Sequence, residues 1–319
     1  MREEPQIGAM FGAGDVTTFM GLPAASVDDA DGSAAILGAT TATPYASVGA
    51  YCRGGPAAIR AGAAPYAANL AHIDFDLGGA IFPDGRVSAV DCGDVDIDES
   101  DSAGNRDRIR AAVATLLDRG LVPVVLGGDD SVPIPVLEAY AGRGPLTILQ
   151  IDAHIDWRDE VQGEQLGLSS TMRRASEMEH VGRIVQVGQR AIGSARVGDH
   201  ADAVAAGVQF VSARELATGG AGPVLDLIPA GSDIFIAFDV DALDPTTMPA
   251  VIGPAPGGLT YLQAVELMAG AAERGRIVGF DLVEFLAERD QGGIGALTAA
   301  RLVTFVLGLI ARQALRISS

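Results

Sequence analysis

Three unbroken apolar runs, each ended by acidic residues, constrain this chain more than any other feature: VPVVL at 122–126, LTILQI at 146–151 and IFIAF at 234–238. A strand with one wetted face alternates apolar and polar residues, whereas a continuous run belongs to a strand covered on both sides, as in a parallel sheet. Further strand-like runs lie at 34–37, 87–90, 183–187, 208–211 and 276–285, and helical patterns cover 106–119, 132–141, 260–274 and 297–312. Strands alternating with helices indicate an α/β fold built from crossover units. No internal repeat or low-complexity linker interrupts the pattern, so one domain over residues 31–319 is expected after a polar N-terminal extension over 1–30.

Composition narrows the partners. Of 319 residues, 48% are apolar and 20% charged, the balance of a globular chain able to bury a large core without covalent staples. The only cysteines, Cys52 and Cys92, make neither a metal pattern nor a disulfide framework, which fits a reducing cytoplasm. The opening MREEPQIGAM lacks the basic-then-apolar layout of a signal peptide, and no apolar run is read as long enough to span a membrane, so a cytoplasmic setting is expected. A formal net charge of −19 without any Lys/Arg-rich block makes nucleic acid and anionic membrane poor partners, while favouring a cationic small molecule.

In open parallel sheets, ligands bind beyond the carboxyl ends of the strands. Here those ends read Gly127-Gly128-Asp129-Asp130-Ser131, Asp152-Ala153-His154-Ile155-Asp156 and Asp239-Val240-Asp241-Ala242-Leu243-Asp244-Pro245. Residues two apart on an extended chain point the same way, so Asp152, His154 and Asp156 can converge on one point. Such a concentration of ionisable groups is unfavourable in a partly buried place unless a cation neutralises it. Asp239 and Asp241 repeat the logic. Carboxylates with one imidazole form a hard donor set suited to Mn²⁺ and workable for other first-row ions, and five or six ligands suit two ions rather than one. Asp129 and Asp244 have an equally good reading as caps or turn residues.

These segments resemble the ureohydrolase family of arginase and agmatinase, on its agmatinase-like side, whose motifs run approximately GGDHS, DAHxD and DxDxxDP. Weaker matches are Arg53-Gly54-Gly55-Pro56 with Ile59-Arg60, Asp91-Cys92-Gly93-Asp94, and Asp281-Leu282-Val283-Glu284 with Asp290 and Gly292-Gly293-Ile294. The resemblance implies a three-layer α/β/α single domain around a mainly parallel eight-stranded sheet. It implies two divalent ions, Mn²⁺ or Ni²⁺, held by Asp130, Asp152, His154, Asp156, Asp239 and Asp241. The implied chemistry is attack of metal-bridging hydroxide on a guanidinium carbon, releasing urea or a urea derivative and an amine. Asp156 and Glu284 would be catalytic, Glu284 pairing with the guanidinium. Homotrimers or homohexamers are usual in the family.

Two departures bear on the activity. Asp130 stands where the family normally has a histidine ligand, and the segment 157–174, where many members carry a His-Gly shuttle, has no histidine. His180 lies further on and reads as a surface residue. Trp157, Glu160 and Glu164 are then the candidates to contact a cationic substrate, with Trp157 as a wall and the two glutamates as acceptors for a charged tail. The departures also leave room for a weakly active or non-catalytic subunit working in a hetero-oligomer with an active partner. An extra carboxylate should favour hard ions and raise the pKa of metal-bound water. The pH optimum of the native chain is therefore expected to be more alkaline than that of an Asp130→His variant, and superimposable pH–rate profiles would refute this.

Overall fold

The computed structural model describes residues 7–13, 15–193 and 195–318. Among the described residues there are ten strands: β1 (Ala34–Ala39), β2 (Ile73–Asp74), β3 (Gly79–Ala80), β4 (Ala89–Asp94), β5 (Val122–Gly127), β6 (Leu146–Ile151), β7 (Val181–Val187), β8 (Gln209–Val211), β9 (Asp233–Asp239) and β10 (Arg276–Val283). The α-helices are α1 (Ile7–Phe11), α2 (Gly55–Ala63), α3 (Ser102–Asp118), α4 (Pro133–Glu138), α5 (Thr171–Ser176), α6 (Val197–Ala205), α7 (Ala213–Gly219), α8 (Gly222–Leu225), α9 (Tyr261–Arg274) and α10 (Ile294–Ser318). Eight strands form one sheet in the order β4-β1-β5-β10-β9-β6-β7-β8, and every described pairing in it is parallel. The short β2–β3 pair is antiparallel and stands apart.

The unbroken apolar runs have the expected cause. In β9, Ile234, Ile236 and Phe238 face one apolar cluster while Phe235 and Ala237 face the other, and all five are buried. The first cluster is completed by Ile59 of α2, Leu267 and Met268 of α9 and Val303 and Val306 of α10. The second is completed by Ile109, Val113 and Leu116 of α3, Val136 of α4 and Met172 of α5. A helix layer on each face of a parallel sheet is thus the three-layer α/β/α arrangement that the sequence implied.

Several boundaries differ from the sequence reading. β4 starts two residues later than 87, because Val87 is exposed, and it runs on through Asp94. β10 stops at Val283 because Glu284 adopts a left-handed backbone (φ 67°) that a strand cannot continue. α4 ends at Glu138 rather than 141. The C-terminal helix is longer than the expected 297–312: its stretch Ile294–Arg316 has a mean hydropathy of 2.0 and is by length and composition sufficient to cross a membrane. That corrects the reading that no apolar run is long enough to span a membrane. Yet 78% of it is buried in the fold, so its apolar surface is covered by α2, α9 and the sheet.

Part of the N-terminal extension belongs to this packing. Phe19, Met20 and Leu22 sit in the first cluster, and the Phe19 N–H donates to Asp91 Oδ2 at 2.7 Å; residues 1–6 and 14 lie outside the described residues. Asp91, fully buried on β4, is also gripped by Arg60 of α2, whose Nε and Nη2 donate to its two oxygens at 2.8 and 2.9 Å. Arg60 Nη1 reaches Asp94 at 2.5 Å. Removing one partner of a buried, bidentate pair leaves the other charge uncompensated. Arg60→Met is expected to lower unfolding stability by about 3–5 kcal/mol in urea denaturation, against little change for Arg53→Met, whose ion pair with Glu99 is exposed.

Candidate metal centre

The sheet register assembles the acidic motifs. β6 and β9 are neighbours with Ile151 paired to Phe238, so Asp152 emerges beside Asp239. β5 and β10 lie on the other side of β9, and their ends are drawn together where Glu284 N–H donates to Gly128 O at 2.8 Å. Gly128 is required there, since a Cβ would stand 1.9 Å from Thr40 O. The Asp130 carbonyl accepts from Thr171 Oγ1 at the start of α5, and the Asp156 carbonyl accepts from the Met172 and Arg173 N–H groups. Asp156 turns its chain with a left-handed backbone (φ 44°).

Two overlapping groups of three can each hold an ion: Asp152, His154 and Asp241, and Asp130, Asp152 and Asp156, with ligand atoms in each lying within 4.8 Å of one another. Asp239 lines the same cavity but joins neither group; its Oδ1 accepts the Asp241 N–H at 2.7 Å. His154 Nδ1 lies 3.0 Å from Asp241 and 3.5 Å from Asp152.

The residues fit divalent ions on physical grounds. Burial pushes the carboxyls of Asp130, Asp156 and Asp239 well above the carboxylate range, and neighbouring carboxylates push them further. Asp152 is raised by burial and by Asp241. His154 is pulled down by burial, but its contacts with Asp152 and Asp241 outweigh this and push it up to about 12. Asp130 Oδ2 is buried without a hydrogen-bond partner among the described residues. A buried, unpartnered carboxylate oxygen facing other carboxylates is costly unless a cation serves it.

Glu284 closes the inner end. Its carboxylate accepts the Tyr51 hydroxyl at 2.6 and 2.7 Å and the Asp130 N–H at 2.9 Å, while burial raises it to about 8 against the opposing effect of the Tyr51 bond. The cavity holding these groups has a volume of about 250 Å³. A larger depression of about 690 Å³ lies at the opposite, amino-terminal ends of the strands and contains none of them.

A sequence profile described as the arginase family matches residues 33–308. The chain belongs to the arginase family. Human mitochondrial guanidino acid hydrolase is 32% identical over 68% of this chain, a match that spans 63% of that protein's length. The agmatinase of Pyrococcus horikoshii is 29% identical over 92% of this chain and 96% of its own. The solved structure of proclavaminate amidino hydrolase from Streptomyces clavuligerus superposes with a TM-score of 0.81 at 26% identity, covering 94% of this chain and 98% of that one.

Within this arginase-family frame, the remaining expectations divide. Trp157 is buried in the second apolar cluster and also lines the cavity, so it serves packing and wall at once. Glu160 and Glu164 are not brought to the cavity. Glu160 is exposed, and Glu164 turns into its own loop to accept the Leu166 N–H at 2.8 Å. His180 contacts Leu137 O through Nε2 at 2.8 Å and lies away from the cavity lining. Asp129 is a buried turn residue bonded by Thr41 and Ser131, and Asp244 accepts from Thr246, Gly257 and Gly258. The structural reading of both is therefore the one that holds.

Sequence reasoning missed Tyr51, Arg158 and an amide relay beneath the ligands. Gln150 Nε2 donates to Asp152 Oδ2 at 2.6 Å and Asp156 Oδ2 at 2.7 Å; its Oε1 accepts from Gln186 Nε2, which also donates to Ile155 O at 3.0 Å. The signal was present as single polar residues inside the apolar runs LTILQI and RIVQV, which register pairs side by side. Groups that orient metal ligands typically change affinity 10–100-fold when removed. Gln150→Met is expected to weaken Mn²⁺ binding by about 10-fold or more in a calorimetric metal titration while the far-UV circular dichroism spectrum stays native.

Proposed function

We propose that this chain is a binuclear-metal amidinohydrolase that cleaves a C–N bond of a guanidino compound, releasing urea or a urea derivative and an amine. The observation that carries the reading is the position of Glu284, aimed by its left-handed backbone, in one small cavity lined also by Asp130, His154, Asp156, Asp239 and Asp241. The family membership supports it, and the named relatives range from a guanidino acid hydrolase to an agmatinase.

Asp130, Asp152, His154, Asp156, Asp239 and Asp241 would hold the ions, and their mainly oxygen donors suit Mn²⁺ first and Ni²⁺ second. When bound, such a pair activates water as a nucleophile near neutral pH. The protein's own part is positioning and proton handling. Glu284 offers two oxygens to parallel N–H donors of a guanidinium, a geometry that fixes the plane of the substrate. Tyr51 shares that carboxylate and stops it rotating away from the cavity. Asp156, with one oxygen anchored by Gln150, is placed to take the proton of the attacking water and return it to the departing nitrogen. Trp157, Leu168 and Ile252 restrict solvent around the reacting groups.

Asp130 in place of the family's histidine and the lack of a histidine over 157–174 favour the second reading, an inert subunit of a mixed oligomer with an active partner. Retention of five of the six ligand positions, Asp152, His154, Asp156, Asp239 and Asp241, argues for the active form, since a disused site relieves the repulsion among such carboxylates by substitution. A homo-oligomer in the cytoplasm is the accompanying proposal. Metal analysis of the purified chain, with urea release from a panel of guanidino compounds under Mn²⁺ or Ni²⁺, separates the readings. Two bound ions and urea formation are expected, with Glu284→Gln lowering kcat/KM about 10²-fold from the loss of a charge-assisted pair worth roughly 1.5–3 kcal/mol. Absence of both bound metal and urea formation would overturn the proposal.

A further inference from the structure

At the mouth of the cavity the structure places an Arg158–Asp199 ion pair instead of the acidic loop side chains expected from the sequence. Arg158 lines it, together with Ser169, Asp199 and Ile252, and among the described lining residues Arg158 is the one basic side chain besides the metal-site histidine. Its backbone is fixed by donation from Arg158 N–H to Ser169 O at 2.8 Å, so the residue is held at the rim by its own loop. Its Nη1 donates to Asp199 Oδ2 in the first turn of α6, and both side chains are largely enclosed, at 21% and 16% exposure. No partner for Nε or Nη2 is found among the described residues. The loop's acids go elsewhere: Glu164 bonds within the loop and Glu160 faces solvent, outside the lining. Arg173 and Arg174 are paired with Asp159 and Glu177 on the outer surface.

We propose that Arg158, steadied by Asp199, is a subsite for a carboxylate on the substrate's tail, so that the chain acts on guanidino acids in preference to guanidino amines. This rests on the guanidino-hydrolase reading above and names the substrate class of that same site. The inner cavity, with its excess of carboxylates, attracts any cationic head and does not by itself tell one guanidino compound from another. Discrimination needs a group that treats tails differently. A guanidinium offers five donors in a planar fork, and one aspartate oxygen occupies only one of them, leaving an edge for a second carboxylate. The same charge repels an ammonium tail, so attraction and rejection come from one residue. Asp199 restricts the long side chain to the rim and reduces the entropy lost when the substrate docks.

The test uses the purified full chain loaded with Mn²⁺ and tails matched in length: 4-guanidinobutyrate, agmatine and the uncharged 1-butylguanidine. The native chain is expected to favour 4-guanidinobutyrate over agmatine by at least about tenfold in kcat/KM, a difference of about 1.4 kcal/mol. Arg158→Met should raise KM for the acid about 10–100-fold, far more than it lowers kcat, and erase the preference; Arg158→Lys should restore part of it. Asp199→Asn should leave the acid preferred. Preference of the native chain for agmatine, or an agmatine KM raised by Asp199→Asn while Arg158→Met leaves the acid unaffected, would overturn the proposal. If no guanidino compound is hydrolysed, the functional reading fails instead, and calorimetry with 4-aminobutyrate against 1,4-diaminobutane still decides the subsite. Binding of the acid that is lost in Arg158→Met supports it, and absence of such binding refutes it.

Discussion

Mutual repulsion among carboxylates at the ends of adjacent parallel strands is the constraint around which the rest of this structure is arranged. Asp130, Asp152, Asp239 and Asp241 are buried and Asp156 is half-buried, and His154 lies 3.0 Å from Asp241 and 3.5 Å from Asp152. Such a cluster cannot be held by its own interactions; the scaffold must impose it. The sheet does so through backbone register, which is fixed by hydrogen bonds far stronger in aggregate than the local repulsion, and through helix layers that bury both of its faces. The unmet oxygen of Asp130 marks where that imposed arrangement awaits a counter-charge.

Around the cluster, the neighbouring groups act mainly by restricting motion. The glutamine relay fixes two carboxylates from below, since Gln186 bonded to Ile155 O leaves Gln150 with its amide nitrogen directed at Asp152 and Asp156. Arg190 holds the loop after β9 from the side, donating to the backbone oxygens of Asp241, Ala242 and Leu243. Tyr51 and the Asp130 N–H hold Glu284. Apart from the bonds of Gln150 to Asp152 and Asp156, these contacts join segments tens to hundreds of residues apart, so the site's precision depends on the whole fold being closed. That dependence also explains the tight glycine positions near the strand ends, where backbones approach too closely for a side chain.

The sequence was most readable where chemistry is local. The strand cores were identified because burial on two faces leaves near-continuous apolar runs, and the DAHID and DVDALDP segments because they concentrate ionisable residues at strand ends, although the extended chain expected there is replaced by a left-handed turn at Asp156 and a 3-10 turn over 240–242. Boundaries were less readable, since the end of β10 is set by the left-handed conformation of Glu284 and the start of β4 by the exposure of Val87, and neither leaves a pattern. Glu160 and Glu164 were misplaced because a loop's charges give no direction; Arg158, between them and the ligands, was passed over for the same reason.

The sequence by itself determined the layered α/β architecture, the acidic character of the strand ends and the family, because each depends on residue type and short-range spacing. Only the tertiary structure decided which side chains share the cavity. It joined Tyr51 to Glu284 across 233 residues, set Gln186 beside Gln150, turned the loop glutamates outward and put Arg158 against Asp199 at the mouth. The physical reason is that these contacts are fixed by strand order and loop closure, which bring together groups whose separation along the chain carries no information about their distance in space.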